Sequence, residues 1–386
     1  MTERRIEGEC PARFAAVRDA FAANFEESRS LREVGASFAA TIDGELVIDL
    51  WGGHADAART RPWTRDTIVN VFSTTKAMTA LCAHMLVERD ELDLDRPVVK
   101  YWPEFAQAGK DRVTTRHLLS HTAGLAGIRT PLRPEALCDW KVMTDALAAE
   151  TPWWPAGTAN GYHALTYGYL VGEVLRRITG KTLGTFFREE VAAPLGADFH
   201  IGLPPSLDDR VADLVPPTAE ESAAANAAPR VDPESLAGKA MGNPLLRPQF
   251  ANEAQWRRAE IPAANGHGNA RSVARVMAAL ACGGTLDGVR LLGDFTLSRA
   301  IAEQRYAKDL VLGLRMRWAL GFMLTSPEMP FGRSPRTFGH GGWGGSLAFA
   351  DLDRRVSWAY IMNKMSPGTT GDARAFMIQR ELYEAL

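Results

Sequence analysis

The amino-acid sequence predicts an α+β protein in which one antiparallel sheet is assembled from the two ends of the chain around a mostly helical insertion. Two hairpin signals and the helical stretch between them carry that expectation. Near the start, "GASFAATIDGELVIDLWGG" sets two runs of strand-forming residues on either side of Asp43-Gly44, a dipeptide suited to a tight hairpin turn. Near the end, "SLAFADLDRRVSWAYIMNK" reads as a second hairpin, with Val356, Trp358 and Tyr360 alternating along one strand. Between them lies helical periodicity broken by Pro and Gly, with no internal repeat.

In chain order, Phe14, Val17, Phe21 and Phe25 fall at helical spacing and predict a helix within residues 11–27 with one buried face. The first hairpin follows. A second helix starts near residue 73, where Met78, Leu81, Cys82, Met85 and Leu86 form one stripe. The polar, Pro- and Ala-rich stretch near 203–235 is expected to be a long surface loop or lid. After the second hairpin, "GDARAFMIQRELYEAL" reads as a closing helix. The expected organisation is a sheet domain of residues 1–75 plus 270–386 and a mostly helical domain of residues 76–269.

The chain has 386 residues, 46% hydrophobic and 23% charged, which suffices for a sizeable core without disulfides or metals. A net charge of -2 shows no basic excess, so nucleic acid is not an expected partner. The N-terminal "MTERRIEGECPARFAAVRDAF" has no apolar stretch long enough for a signal peptide, and no run reaches membrane-spanning length. Cys10, Cys82, Cys138 and Cys282 are scattered without a CxxC pair. Reduced thiols in a cytoplasmic protein are the expectation.

Chemistry enters at "VFSTTKAMTA". Ser73 and Lys76 are three apart at a helix start, which places them on neighbouring turns of one face. Free backbone N–H groups and the positive dipole end favour a developing alkoxide or oxyanion there. A lysine desolvated beside the serine gives up its proton more easily and can then accept the serine's. The tetrapeptide alone decides little, because a serine at a helix start commonly serves only as a cap.

Five segments in order add the missing weight: "VFSTTKAMTA", "LDLDRPVVKYWPEF", "TTRHLLSHTAGL", "PGTANGYHALTYGYLVGEVLRRITG" and "FGHGGWGGSLAFADLD". Together they resemble the serine β-lactamase-like and penicillin-binding-protein-like superfamily, closest to its family VIII carboxylesterases, over nearly the whole chain. The resemblance implies a β-lactamase/transpeptidase-like fold with the active site between the two domains. It also implies Ser73 as nucleophile, with Lys76 and Tyr162 as proton carriers. The family's second motif, Tyr-x-Asn, maps onto Tyr162-His163-Ala164, with His163 beside the substrate. Tyr162 follows Gly161 in a Pro/Gly-rich turn, a position suited to an exposed group, and a nearby ammonium would favour its phenolate.

The third motif maps onto His340-Gly341-Gly342, while a competing register would use Trp343-Gly344-Gly345. In the preferred register the backbone N–H groups of Ser73 and Trp343 would form an oxyanion hole. Glycines this dense in a strand mark a place where something approaches the backbone closely. Two departures from the β-lactamase pattern favour esters. Ala164 offers no amide to a substrate acylamide, and His340 replaces a fixed cation with a largely neutral imidazole.

The expected activity is hydrolysis of short-chain hydrophobic carboxylic esters through an acyl-enzyme, the ester being the small-molecule partner. No cofactor and no metal are called for. His117 and His121 lack the glutamate and third ligand of a metal motif, and no GxSxG elbow occurs. Trp153, Trp154 and Trp343 are candidates for an acyl pocket, and Asn265, His267 and Asn269 are placed near the site by the resemblance. Weak β-lactamase, D-aminopeptidase or acyltransferase activity, and a non-catalytic scaffold, are the alternatives. The sequence does not specify an oligomeric state.

Overall fold

Both ends of the chain enter one nine-stranded sheet. The computed structural model describes residues 6–224, 232–369 and 371–386. In chain order the strands are β1 (Ile6–Glu9), β2 (Gly35–Ile42), β3 (Glu45–Gly53), β4 (Arg305–Lys308), β5 (Arg315–Trp318), β6 (Met323–Leu324), β7 (Thr337–Gly341), β8 (Leu347–Asp351) and β9 (Val356–Met362). They lie in the order β1-β3-β2-β9-β8-β7-β6-β5-β4, and β9 joins β2 antiparallel with Trp358 opposite Ala40. The first hairpin turns at Asp43 and Gly44, whose φ values of 51° and 87° are left-handed, as a tight two-residue turn demands.

Strand alternation sorts the residues of the two central strands between two helical layers. Ser37, Thr41 and Ser357 face α4 (Ala270–Ala281): Ser357 Oγ donates to Ala274 O at 2.7 Å, and Ala270 N–H donates to Ser37 Oγ at 3.2 Å. Small side chains on this face let the helix lie close. The opposite face carries Phe38, Trp358 and Tyr360. Trp358 meets Phe349 at 5.5 Å, Phe349 stacks on Phe331 at 4.0 Å, and Phe331 meets Phe376 of α5 (Ala373–Glu384) at 5.9 Å. Helix α1 (Ala15–Ala23) packs against α5. Each fully buried aromatic of this layer contributes roughly 1.5–3 kcal/mol.

Helix α2 (Thr75–Glu88) departs from its expected single stripe, because every residue from Thr75 to Val87 is buried. It packs against α3 (Thr166–Thr179) on one side and strand β7 on another, so no face is left for water. Two of its polar members reach distant backbone carbonyls. Thr79 Oγ1 donates to Pro262 O at 2.5 Å, and His84 Nε2 bonds Leu320 O at 2.8 Å.

The Pro- and Ala-rich stretch is partly a strap. Val215 N–H donates to Asn363 O at 2.8 Å, Met365 N–H donates to Val215 O at 2.9 Å, and Lys364 pairs with Glu221 at 2.6 Å. Backbone passing the sheet end needs such partners. The part of the expected lid at 225–231 lies outside the described residues. No helix among the described residues is long and apolar enough to cross a membrane.

Candidate active site

Ser73 is the one residue between Thr67 and Val87 that is not fully buried. It sits in the short turn Phe72–Thr74 that leads into α2. Phe72 has φ 42°, a left-handed conformation costly for an aromatic residue, and such strain persists only where the surroundings enforce it. Here the Phe72 ring is held against Trp343 at 5.2 Å and Trp256 at 6.5 Å. Val71 N–H donates to Gly266 O at 2.9 Å, while Val71 O accepts from Ser346 Oγ at 2.8 Å. Ser346 Oγ also bonds Thr74 Oγ1 at 2.9 Å. The serine's turn is thereby stitched to the segment that follows β7.

Lys76 is wholly buried, the second residue of α2. Its Nζ lies 3.0 Å from Ser73 Oγ, 2.7 Å from Ala164 O and 2.9 Å from Ala263 O. Burial drives its pKa well below the ordinary lysine value. The two carbonyls can only accept, so a neutral amine spends both N–H bonds on them. Its lone pair then faces Ser73 Oγ, and the serine hydroxyl becomes the donor.

Tyr162 completes the cluster. Lys76 Nζ stands 4.8 Å from its ring centroid, and its hydroxyl is near enough to the Ser73 side chain for the serine to favour the phenolate. Two expectations are corrected here. Tyr162 is buried rather than exposed, because Trp318 lies parallel to its ring at 5.7 Å while His121 and His340 close in at 5.0 and 6.0 Å. The phenol is also held protonated. Burial pushes its pKa above the usual tyrosine value, and Lys76 supplies no ammonium to oppose that. Its backbone N–H donates to Asp309 Oδ1 at 2.9 Å, a contact with no sequence signal.

Strand β7 ends beside this cluster. Gly342 N–H donates to Ser346 O at 2.7 Å, and a Cβ on Gly342 would stand 2.2 Å from both Val71 O and Ser346 Oγ. The close approach expected of these glycines is therefore the serine's own turn. That contact favours the His340-Gly341-Gly342 register. Gly342 lies against the Ser73 turn, whereas Gly341 meets Leu347, and Gly344 and Gly345 meet Met365 and Asp372. Among the described residues neither the Ser73 nor the Trp343 backbone N–H has a hydrogen-bond partner.

His340 Nδ1 donates to Gly341 O at 2.7 Å, which leaves Nε2 as a buried acceptor. Burial lowers its pKa to about 3, so it is neutral. His163, expected beside the substrate, is committed to backbone. It is fully buried, Nδ1 donates to Gly161 O at 2.7 Å, and Nε2 accepts from Leu125 N–H at 3.0 Å. Both ring nitrogens clamp backbone. Of the paired histidines, His117 joins the cap of its helix at Thr114 and His121 lies beneath Tyr162.

The tryptophans separate. Trp343 borders the Ser73 turn, Trp154 is buried against Gly161, and Trp153 lines a different cleft of about 820 Å³ with Ile128, Leu132 and Leu236. None of Ser73, Lys76 and Tyr162 lines that cleft. Asn265 braces the turn whose Ala263 carbonyl meets Lys76, accepting from Ile261 N–H at 2.8 Å. Asn269 caps α4, and His267 pairs with Asn70 in a short strand contact. Asp309 and Trp318 were missed because each reaches the site from a distant segment, and Ser346, inside the glycine-rich motif, because its partners Val71 and Thr74 are distant.

A hydroxyl met by a buried amine and a phenol, between a helical layer and an antiparallel sheet, defines an active-serine hydrolase. The family model described as Beta-lactamase matches residues 19–381, and the chain belongs to that family. An "Esterase/beta-lactamase LipL" from Mycobacterium tuberculosis is 37% identical, over 97% of this chain and 87% of that protein. A crystal structure of a family VIII carboxylesterase superposes with a TM-score of 0.90 at 45% identity, covering 99% of this chain and 100% of that one. A penicillin-binding protein homologue from Caulobacter crescentus superposes equally well, with a TM-score of 0.90 at 46% identity, again over 99% and 100% of the two chains.

Proposed function

We propose that this protein is a serine carboxylesterase that cleaves short-chain, hydrophobic carboxylic esters through an acyl-enzyme on Ser73. The observation that carries the reading is the Lys76 amine, buried without a shift toward the charged form and 3.0 Å from Ser73 Oγ. As Ser73 Oγ attacks the ester carbonyl, its proton passes to Lys76 Nζ. The backbone N–H groups of Ser73 and Trp343, free of other partners among the described residues, hold the oxyanion. Such donors are worth on the order of 3 kcal/mol each.

Tyr162 gives its proton to the departing alkoxide and becomes a phenolate only once Lys76 beside it is an ammonium. Water then attacks the acyl-enzyme and loses its proton to Tyr162. Lys76 returns its proton to Ser73 Oγ as the acid leaves, which restores every group. Selectivity for uncharged esters follows from neutral His340 and from Ala164, whose only polar contribution is its carbonyl to Lys76. Two of the three similar proteins carry an esterase name, one of them jointly with beta-lactamase, which supports the same choice. The four cysteines are free, in keeping with a cytoplasmic setting.

Labelling with a fluorophosphonate probe, and turnover of p-nitrophenyl butyrate against nitrocefin, test the reading. Both labelling and ester turnover should vanish in Ser73→Ala, with nitrocefin the poorer substrate. Full ester turnover by Ser73→Ala would refute it.

A further inference from the structure

Asp309 is a fully buried carboxylate that the reaction steps above leave without a role. Among the described residues no cation pairs with it, and every partner is an N–H donor. Oδ1 accepts from the backbone of Tyr162 at 2.9 Å and of Val311 and Leu312 at 3.0 Å each. Oδ2 accepts from Asn160 Nδ2 at 3.0 Å and Trp318 Nε1 at 3.2 Å. Burying an unpaired charge is expensive, and an amide of the same shape would turn one acceptor into a donor facing N–H groups. The two donors Tyr162 N–H and Trp318 Nε1 both bear on one side chain. Trp318 is the ring plate parallel to Tyr162, with an interplanar angle of 7°.

We infer that Asp309 is the positioning residue for Tyr162, fixing its backbone and its ring plane together from a carboxylate set behind the phenol. This rests on the proposed role of Tyr162 as proton carrier. The other groups around the ring are Ser73, Lys76, His121 and His340, with His163 and Tyr167 next to His121. Burial favours the neutral form of the amine and of all three imidazoles. Burial is the larger reason that the phenol keeps its proton, and the Asp309 carboxylate adds to it.

The test places Asp309→Asn and Asn160→Ala in both the wild-type and the Tyr162→Phe backgrounds. Turnover of p-nitrophenyl butyrate is followed across pH, beside thermal unfolding. Asp309→Asn should lower kcat about 10- to 100-fold with KM changed less than about 3-fold, as expected of a displaced reacting group. Its alkaline limb should move to lower pH, because removing a negative charge eases ionisation of the phenol. Asn160→Ala should shift kcat the same way by about 3- to 10-fold. Neither change should lower kcat further in the Tyr162→Phe background.

Losses that multiply with that of Tyr162→Phe would overturn the inference. So would an unmoved pH profile accompanied only by a lower Tm. Should Asp309→Asn fail to fold, Asn160→Ala is judged by its kcat in the two backgrounds, an unchanged or multiplying kcat overturning the inference. A Tyr162→Phe variant with wild-type kcat would instead refute the proton-carrier role itself, and this inference with it.

Discussion

Replacing Gly342 with alanine should disable the enzyme through one methyl group. The added Cβ would stand 2.2 Å from Val71 O and 2.2 Å from Ser346 Oγ, with Thr74 Oγ1 at 3.2 Å. The first of these atoms is backbone of the serine's own turn, so it cannot rotate aside. Ordinary contact needs roughly a further ångström, which must come from moving either the end of β7 or the Ser73 turn. Overpacking of this kind costs about 1–3 kcal/mol of stability. A shift of about 1 Å at the reacting atoms costs on the order of 100-fold in rate.

Gly341→Ala is the matched control. Its Cβ would meet Leu347 Cδ2 at 2.8 Å, the far end of a flexible side chain, with Ser346 O no nearer than 3.7 Å. We expect kcat for p-nitrophenyl butyrate to fall about 100-fold in Gly342→Ala and less than about 5-fold in Gly341→Ala. Equal, small effects at both positions would show that β7 does not press on the nucleophile's turn, and the assigned register would fail with it.

Three further outcomes follow from the same geometry. Ser346→Ala removes the hydroxyl bonded to Val71 O and Thr74 Oγ1, and should cost about 1–3 kcal/mol in unfolding free energy together with part of kcat. Lys76 is held neutral in the fold but protonated in the unfolded chain below its ordinary value of 10.5, so the unfolded state binds the extra proton and wild-type stability rises with pH. Lys76→Met lacks that term, and its Tm relative to wild type should fall between about pH 7 and about pH 10; a constant difference would mean Lys76 is charged in the fold. Ala164→Asn restores an amide beside the carbonyl that meets Lys76, and should raise nitrocefin turnover relative to p-nitrophenyl butyrate; an unchanged ratio would remove Ala164 from the account of selectivity.

Features carried by neighbours in sequence were legible. The Asp43-Gly44 turn and the hairpin of β8 and β9 are local, and Ser73 and Lys76 share one helical turn. Tyr162 was reached only through resemblance, and its burial was missed because Trp318 and His121 arrive from segments far away in the chain. The all-round burial of α2 was hidden by Thr75, Thr79 and His84, which break an apolar pattern yet find partners in distant backbone. Asp309 looks like any loop aspartate until five N–H groups converge on it. His163 erred in the other direction, since motif position pointed to substrate while both ring nitrogens are bound to backbone.

The central claim is that a neutral, buried lysine makes Ser73 nucleophilic. Rapid quenching of the protein with p-nitrophenyl butyrate, followed by peptide mass analysis, reads it directly. The account predicts one butyryl group on the peptide bearing Ser73 in the wild type, formed at least about 100-fold more slowly in Lys76→Met. An adduct on any other residue, or one formed at the wild-type rate without the amine, would contradict it.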